Sequence, residues 1–448
     1  MTSTATSALT WGQTEIVDWL AINGYDLSRI IAIRDITPPD GVACAADAEA
    51  ALHGIADRHA ALRAKVRVPR LKPAYRLDAT DRPTQFVDDE DGFVVRRYED
   101  DAVTATQIMK LVCDGFDSGD TRLDPGRDPS QAVVYRRPDD RWGCLLLTSR
   151  VFTDGPGGRR LGAEFASLVS GTKVADLPAS VDADTVVAHE ESAARRDVSR
   201  RNIAGMRDIL RQAPTEALVR PLGTAASATV IRSPAFTAQV DTISQRYGVP
   251  RGGVITALVS LGQWAEYGYD TVLLRALTQL PPPVRGASYV GPNALPALSA
   301  VPVRADWTIK DYFARAWAAT IGSYRTCNYD PADFDHMQHQ MAAEHGRELL
   351  DGITYLNYHS MQEIFDDEAG SDADDQTVVS HVTLDRHDRV FRTLIDIRDL
   401  GSSMTLHVEG SHTPSSGDTL RQAQTFLAMT AAVAAATDDT TRIGTTVR

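Results

Sequence analysis

Cysteine is scarce and scattered in this sequence. Cys44, Cys113, Cys144 and Cys327 stand alone and form no C-x-x-C pair. This argues against a disulfide scaffold or a cysteine-rich zinc site and suits a reducing cytoplasm. Basic charge is also in deficit, with 46 Lys and Arg against 60 Asp and Glu and a formal net charge of -14. A broad nucleic-acid footprint depends on lysine and arginine facing phosphates, so the balance argues against one and leaves room only for a local basic patch. Long apolar runs are missing. Polar residues interrupt each hydrophobic stretch before about 18 residues, so no membrane span is expected. The opening M-T-S-T-A-T-S-A-L-T lacks a positive start and an apolar core, so no secretory signal is expected.

What is present suits a soluble globular protein: 448 residues, 43% of them apolar and 24% charged. Such a length points to two domains of roughly 150 to 250 residues each. Apolar residues at helical spacing predict helices over 11–22, 42–56, 158–169, 236–247, 253–266, 307–324, 335–350 and 418–435. Thr308 or Asp306 is placed to cap the helix over 307–324. Strands are predicted over 27–33, 62–68, 132–135, 144–148, 228–232, 273–280, 298–303, 353–358, 377–384, 390–397 and 404–409, with 132–135 and 144–148 paired around the turn P-D-D-R-W-G. Residues 78–101, 114–130 and 364–375 read as acidic or irregular loop. Periodicity fades over 170–183, and the charged segment 189–202 follows. The expected division is an N-terminal domain over 1–175, a linker region over 176–215 and a C-terminal domain over 216–448, mixed α/β in both halves.

The stretch with the most chemical content is L-T-S-R-V-F-T-D-G-P-G-G, 147–158. An apolar strand runs into a glycine turn, and functional groups often emerge at such an end. Arg150 cannot act as a general base near neutral pH. It can hold a carboxylate, clamp a phosphate or stabilise an oxyanion. Asp154 is its short-range partner in a structural reading, with Gly155, Gly157 and Gly158 giving tight geometry. Ser149 as a nucleophile needs an adjacent base, and none is visible locally. In Y-L-N-Y-H-S, Asn357 and His359 point the same way from a strand while Tyr358 points opposite. An imidazole there suits proton transfer, and a polar strand edge would carry the same residues. His336, His339 and His345 lack the H-E-x-x-H spacing and read as a polar helical surface rather than a metal site. Tyr289 and Asn293 lie in Y-V-G-P-N-A-L-P, a backbone-rich wall or a crossover between domains. Y-G-V-P-R-G-G, 247–253, reads as a helix–helix connection.

Taken in order, these stretches resemble the condensation domains of nonribosomal peptide synthesis, within the wider superfamily of chloramphenicol-acetyltransferase-like acyltransferases. L-T-W-G-Q-T-E-I, 9–16, resembles the opening motif, and R-H-A-A-L-R-A-K-V, 58–66, the second motif R-H-E-x-L-R-T-x-F. S-R-V-F-T-D-G, 149–155, falls on H-H-x-x-x-D-G, V-G-P-N-A-L-P, 290–296, on I-G-x-F-V-N-T-L-P, and Asn357 on an asparagine-bearing strand.

The resemblance covers roughly 8–437. It implies an α/β fold (an α+β sandwich) of two chloramphenicol-acetyltransferase-like domains in a V-shaped arrangement, with a tunnel where two carrier proteins deliver thioester-bound substrates. It also implies antibiotic-type nonribosomal peptide biosynthesis in the cytoplasm, a peptidyl or acyl carrier protein as partner, and neither nucleic acid nor membrane as partner. No cofactor is expected to be covalently bound, since the phosphopantetheine arm arrives on the carrier, and no metal is expected. Asp154 inherits the loop-holding role, with Arg63 as a distant partner and Gly155 beside it. The substrate cleft is assigned Asn357, Asn293 and Tyr289.

The departure lies at Ser149 and Arg150, which stand where the family has its two histidines. Two functions follow from the resemblance: a freestanding acyltransferase-like protein forming an amide or ester without the motif histidine, with Arg150, His359 and Ser149 as catalytic candidates, or an inactive module recruiting a cytochrome P450 or other tailoring oxygenase to a carrier-bound substrate. A third is a repurposed cleft catalysing cyclisation. The sequence does not name the donor or acceptor.

Overall fold

A computed structural model describes residues 6–22, 31–67, 83–87, 93–99, 102–118, 130–213, 225–281, 287–345, 353–360, 377–384, 393–399, 401–412, 418–436 and 440–446. The acidic loop 364–375 lies outside these residues, as do 27–30 and 390–392 of two expected strands, 346–350 of an expected helix and 119–129 of an expected loop.

The chain divides into two compact units, Met1–Asp197 with Gln279–Ala294 and Asp330–Ala332, and Val198–Thr278 with Leu295–Tyr329 and Asp333–Arg448. Both mix helix and sheet, as the alternation of patterns predicts.

The first unit is built on a four-stranded sheet in the order Ile31–Asp35, Trp142–Ser149, Ser130–Arg136, Val94–Tyr98. The expected hairpin is present: Ser130–Arg136 and Trp142–Ser149 pair antiparallel from Ser130↔Thr148 to Arg136↔Trp142. Leu146, Cys144, Val134 and Ala132 pack against Leu52, Ile55, Leu161 and Phe165 of the helices Ala45–Arg58 and Gly155–Val169. Leu145, Leu147, Val133 and Tyr135 pack on Val103 and Ile108, so these two strands are apolar on both faces. Three short strands, Thr6–Ala8, Thr84–Val87 and Ala64–Arg67, make a second sheet. Ser180–Val181 and Ser288–Tyr289 pair in parallel.

Two expectations are corrected here. Residues 78–101 contain the strands Thr84–Val87 and Val94–Tyr98, two short segments separated in sequence by the acidic run D-D-E-D, 88–91. The loop expected over 114–130 begins later, because the helix Ala105–Ser118 runs through C-D-G-F-D-S. Its amphipathic first half carries the less favourable Asp114, Gly115 and Asp117 along with it.

The second unit carries a seven-stranded sheet ordered Ala294–Pro302, Thr271–Gln279, Thr354–Ser360, Thr393–Asp399, Met404–His412, Ala225–Ser233, Val378–Leu384. One face of it packs Leu356, Ile395, Ile397, Leu406, Val408 and Ile231 into a core with the helices Pro234–Tyr247, Arg251–Tyr267, Ile309–Thr326 and Thr419–Ala435. Of the two cap candidates for the helix over 307–324, Thr308 is the one used. Thr308 accepts from the Asp311 N–H and Asp418 from the Arg421 N–H. Among the described residues no helix is long and apolar enough to cross a membrane.

Candidate functional site

The chemistry-bearing stretch of the first unit is a strand that becomes a turn and then a helix. Ser149 ends the strand and is 1% exposed. Its Oγ accepts from the Val151 N–H at 3.3 Å, and its carbonyl accepts from Phe152 and Thr153. The serine is thus built into the turn, and a side chain so buried is poorly placed to attack a substrate. Arg150, the next residue, is exposed.

Asp154 caps the helix Gly155–Val169, accepting from the Gly157 N–H at 2.7 Å through Oδ1. Gly155 is the first helical residue and Pro156 follows it, a position where a missing N–H costs nothing. The second carboxylate oxygen of Asp154 accepts from the Asn293 N–H at 3.2 Å and from Gln279 Nε2 at 3.3 Å. One side chain therefore ties the 149–158 stretch to the segment 279–294, far away in sequence but part of the same compact unit. Burial raises the Asp154 carboxyl above the usual carboxylate range, while these three donors and the charge of Arg34 pull it back.

Arg34 brings a guanidinium beside Asp154, its Nη2 donating to the Asp154 carbonyl at 3.0 Å. Burial lowers Arg34 to about 10, helped by the charges of Arg150 and Arg159 and opposed by Asp154. The Arg34 side chain lies over Gly158, where a methyl group would overlap it. Arg63 donates from Nε to the Ala56 carbonyl at 3.0 Å and so finishes the helix Ala45–Arg58.

Asn293 is deeply engaged. Its Nδ2 donates to the carbonyls of Leu280 and Pro281, each at 3.0 Å, and its own carbonyl accepts from the Leu280 N–H and Gln279 Nε2. Tyr289 is driven up by burial, with the Thr10 hydroxyl hydrogen-bonded to its phenol. The helix Trp11–Ile22 begins against the same segment: Gly12 abuts the Pro292 carbonyl so closely that a Cβ would overlap it. Both Asn293 and Tyr289 hold the segment in place, and Asn293 has its amide hydrogens committed to protein carbonyls.

In the second unit Asn357 and His359 do point one way from the strand Thr354–Ser360, and Tyr358 points opposite, its hydroxyl donating to Asp399 at 2.7 Å. The neighbouring strand brings Asp396 beside them: Asn357 pairs with Asp396 in register, and His359 Nε2 lies 3.2 Å from Asp396 Oδ1. Asn357 Nδ2 lies 2.5 Å from the same Nε2. Burial works to raise Asp396, but the hydrogen bond and charge of His359, with Arg398 and His407, outweigh it and hold the carboxyl below its ordinary range. No group of three or more His, Cys, Asp or Glu among the described residues is placed to hold a metal ion.

Arg34, Gln279 and Asp396 were not singled out in sequence. The G-P-G-G run signals a close approach at the helix start without naming what approaches. Asp396 had a readable signal, a lone carboxylate between Ile395 and Ile397 in an alternating strand.

No family model and no curated protein matches the sequence. Solved structures do match along nearly the whole chain. The first condensation domain of the CDA synthetase is 16% identical with a TM-score of 0.64, covering 99% of this chain and 98% of that one. The condensation domain of the Monacolin K polyketide synthase MokA is 14% identical with a TM-score of 0.69, covering 98% and 99%. The starter condensation domain of rhizomide synthetase RzmA is 16% identical with a TM-score of 0.62, covering 98% of both chains. At such identities the likeness speaks for the backbone, in agreement with the order of motifs read from the sequence. The chain has the condensation-domain fold.

Proposed function

We propose that this protein binds acyl groups held as thioesters on a carrier protein's phosphopantetheine arm and transfers them to an amine or hydroxyl acceptor. The motif position that supplies a proton acceptor in condensation domains is filled here by Arg150. The observation that carries the reading is the state of the 149–158 stretch. Asp154, its helix and its tie to Asn293 are intact, while Ser149 is buried in the turn and Arg150 is cationic and exposed. A scaffold kept in this detail supports a retained task, and a guanidinium limits what Arg150 itself does. It polarises the thioester carbonyl or holds an anionic group of the substrate. Alignment of a free amine against a thioester supplies much of the remaining acceleration.

The test is direct. Acyl-loaded carrier is mixed with the protein and a panel of amine and alcohol acceptors, and products are identified by mass spectrometry while carrier binding is measured in parallel. Acyl transfer above the uncatalysed rate, reduced in an Arg150→Ala variant that still folds, is the expected result. Carrier binding without any product would overturn the transfer reading in favour of a module that recruits a tailoring oxygenase. Absence of both binding and product would remove the carrier as partner.

A further inference from the structure

Three guanidinium groups gather around the start of the helix Gly155–Val169, all of them in the first compact unit. Arg34 arrives from the strand Ile31–Asp35, donating to the Asp154 carbonyl and lying against Gly158. Arg159 belongs to the second turn of the helix, and its Nη1 stands 3.9 Å from where a Gly155 side chain would begin. Arg150 comes from the turn before the helix and is exposed. The charges of Arg150 and Arg159 are both felt at Arg34, and among the described residues Asp154 is the one acid that opposes them there.

Asp154 is a poor counter-ion for the three. Its carboxylate oxygens accept from the Gly157 N–H, the Asn293 N–H and Gln279 Nε2, and Arg34 meets its carbonyl instead. Arg159, half-buried, makes no hydrogen bond or ion pair among the described residues. The helix adds to the imbalance, because its first turn is the positive end of its dipole. G-P-G-G, 155–158, covers that turn with nothing larger than a proline ring. Polar groups close by also go unmet. Register puts Thr148 and Ser130 on the same sheet face as Arg34, and Thr153 precedes Asp154 in the turn. Arg34 Nε and the hydroxyls of Ser130, Thr148 and Thr153 are buried with no hydrogen-bond partner among the described residues. Each such group costs free energy, and unpaired polar groups gathered beside like charges are a mark of function rather than of stability.

We propose that Arg34, Arg150 and Arg159 form a subsite that binds a carboxylate carried by one of the two reactants. Each guanidinium offers a planar fork of donors that matches a carboxylate in two parallel hydrogen bonds, and an anion between the three removes their mutual repulsion. The substrate class rests on the acyl-transfer reading above, in which Arg150 stands beside the reacting carbonyl. The phosphate of the pantetheine arm is a full arm's length from that carbonyl. The anion within reach of Arg150 therefore belongs to the acyl group or to the acceptor. An acyl group with a second carboxylate supplies it, and so does an amino acid that accepts through its free amine. Arg34 and Arg159 set specificity, and neither takes part in making or breaking a bond.

Binding is measured first, without a carrier. Isothermal titration calorimetry at constant ionic strength compares succinate with its neutral isostere succinamide on wild type, Arg159→Gln and Arg34→Gln. Wild type is expected to bind succinate and not succinamide, and each substitution to weaken succinate by about tenfold or more. Arg159→Lys keeps the charge without the fork and is expected to recover part of the binding. Folding is checked by circular dichroism, and Arg159→Gln carries the test if loss of the Arg34 contact to Asp154 impairs folding. Transfer is measured next, in two arms. Succinyl-loaded carrier is compared with butyryl-loaded carrier on a neutral amine, and butyryl-loaded carrier is then offered glycine or glycinamide. A kcat/KM preference of about tenfold or more for the carboxylate is expected in one arm, which identifies the reactant that bears it, and Arg159→Gln is expected to reduce that preference. Equal binding of succinate and succinamide by wild type, or undiminished succinate binding in the folded variants, overturns the subsite. A lack of carboxylate preference in both arms overturns its role in substrate choice. Wild type that binds succinate but forms no product in any arm overturns the transfer reading and leaves the subsite standing.

Discussion

Replacing Asp154 by alanine separates structure from chemistry in the 149–158 stretch. The carboxylate accepts three hydrogen bonds, from the Gly157 N–H, the Asn293 N–H and Gln279 Nε2. Loss of the cap on the helix Gly155–Val169 costs about 1 kcal/mol. The Asn293 N–H, part-buried, would lose its acceptor, at a further cost of about 1–3 kcal/mol. Gln279 is exposed and re-solvates with little loss. The total is roughly 2–4 kcal/mol, a large share of the stability of an ordinary domain. Asp154→Asn keeps an acceptor oxygen for the cap but turns an amide toward donors, so it should fall between alanine and wild type. The charge itself contributes little, because burial disfavours it. With its pKa raised in the fold, Asp154 binds more protons native than unfolded across the window above about 3.9. Its titration therefore lowers stability as pH rises through that window and adds none at neutrality. Urea denaturation of both variants, read by circular dichroism, gives the stability differences, and acyl transfer is measured at urea-free conditions where each is folded. The expected outcome is a reduced denaturation midpoint with activity lost only in step with disorder of the stretch. A variant as stable as wild type but more than a hundredfold slower would refute the structural assignment and make Asp154 a participant in the reaction.

Three further outcomes follow from particular contacts. Gly12→Ala would drive a methyl group into the Pro292 carbonyl, a backbone atom that cannot rotate away, so a loss of about 2 kcal/mol or more in urea denaturation is expected, and an unchanged midpoint would show that the helix start moves freely. Glu190, buried and bonded to the Trp11 N–H at 2.9 Å, is raised to about 8, chiefly by burial, so the native protein retains its proton between about pH 4.5 and 8 and loses stability as pH rises through that window. Glu190→Gln keeps an acceptor for Trp11 and should stabilise the protein at pH 8.5 by on the order of 3–4 kcal/mol while changing little at pH 5, and equal effects at both values would contradict the assignment. Asp396, held low in the fold, contributes stability that is complete above about pH 3.9 and lost as pH falls through its folded value. Asp396→Asn should therefore flatten the acid side of the stability curve, and an unchanged acid midpoint would count against the ion pair.

Sequence alone determined the mixed α/β character of both halves, the pairing of 132–135 with 144–148, Thr308 as one of two cap candidates for its helix, and the absence of a proton acceptor at Ser149 and Arg150. These depend on periodicity, on turn and cap chemistry and on the identity of side chains, all of which are local. The strand–turn–helix character of 147–158 was legible for the same reason. Tertiary structure decided the partners. That Arg34 donates to the Asp154 carbonyl, that Asn293 and Gln279 donate to its carboxylate, and that Asp396 lies beside His359 are facts of long-range pairing. Strand order sets such pairings. Asp396 stands next to Asn357 only because Thr393–Asp399 lies in parallel register beside Thr354–Ser360, and many registers satisfy the same alternating pattern until the cores on the other face select one.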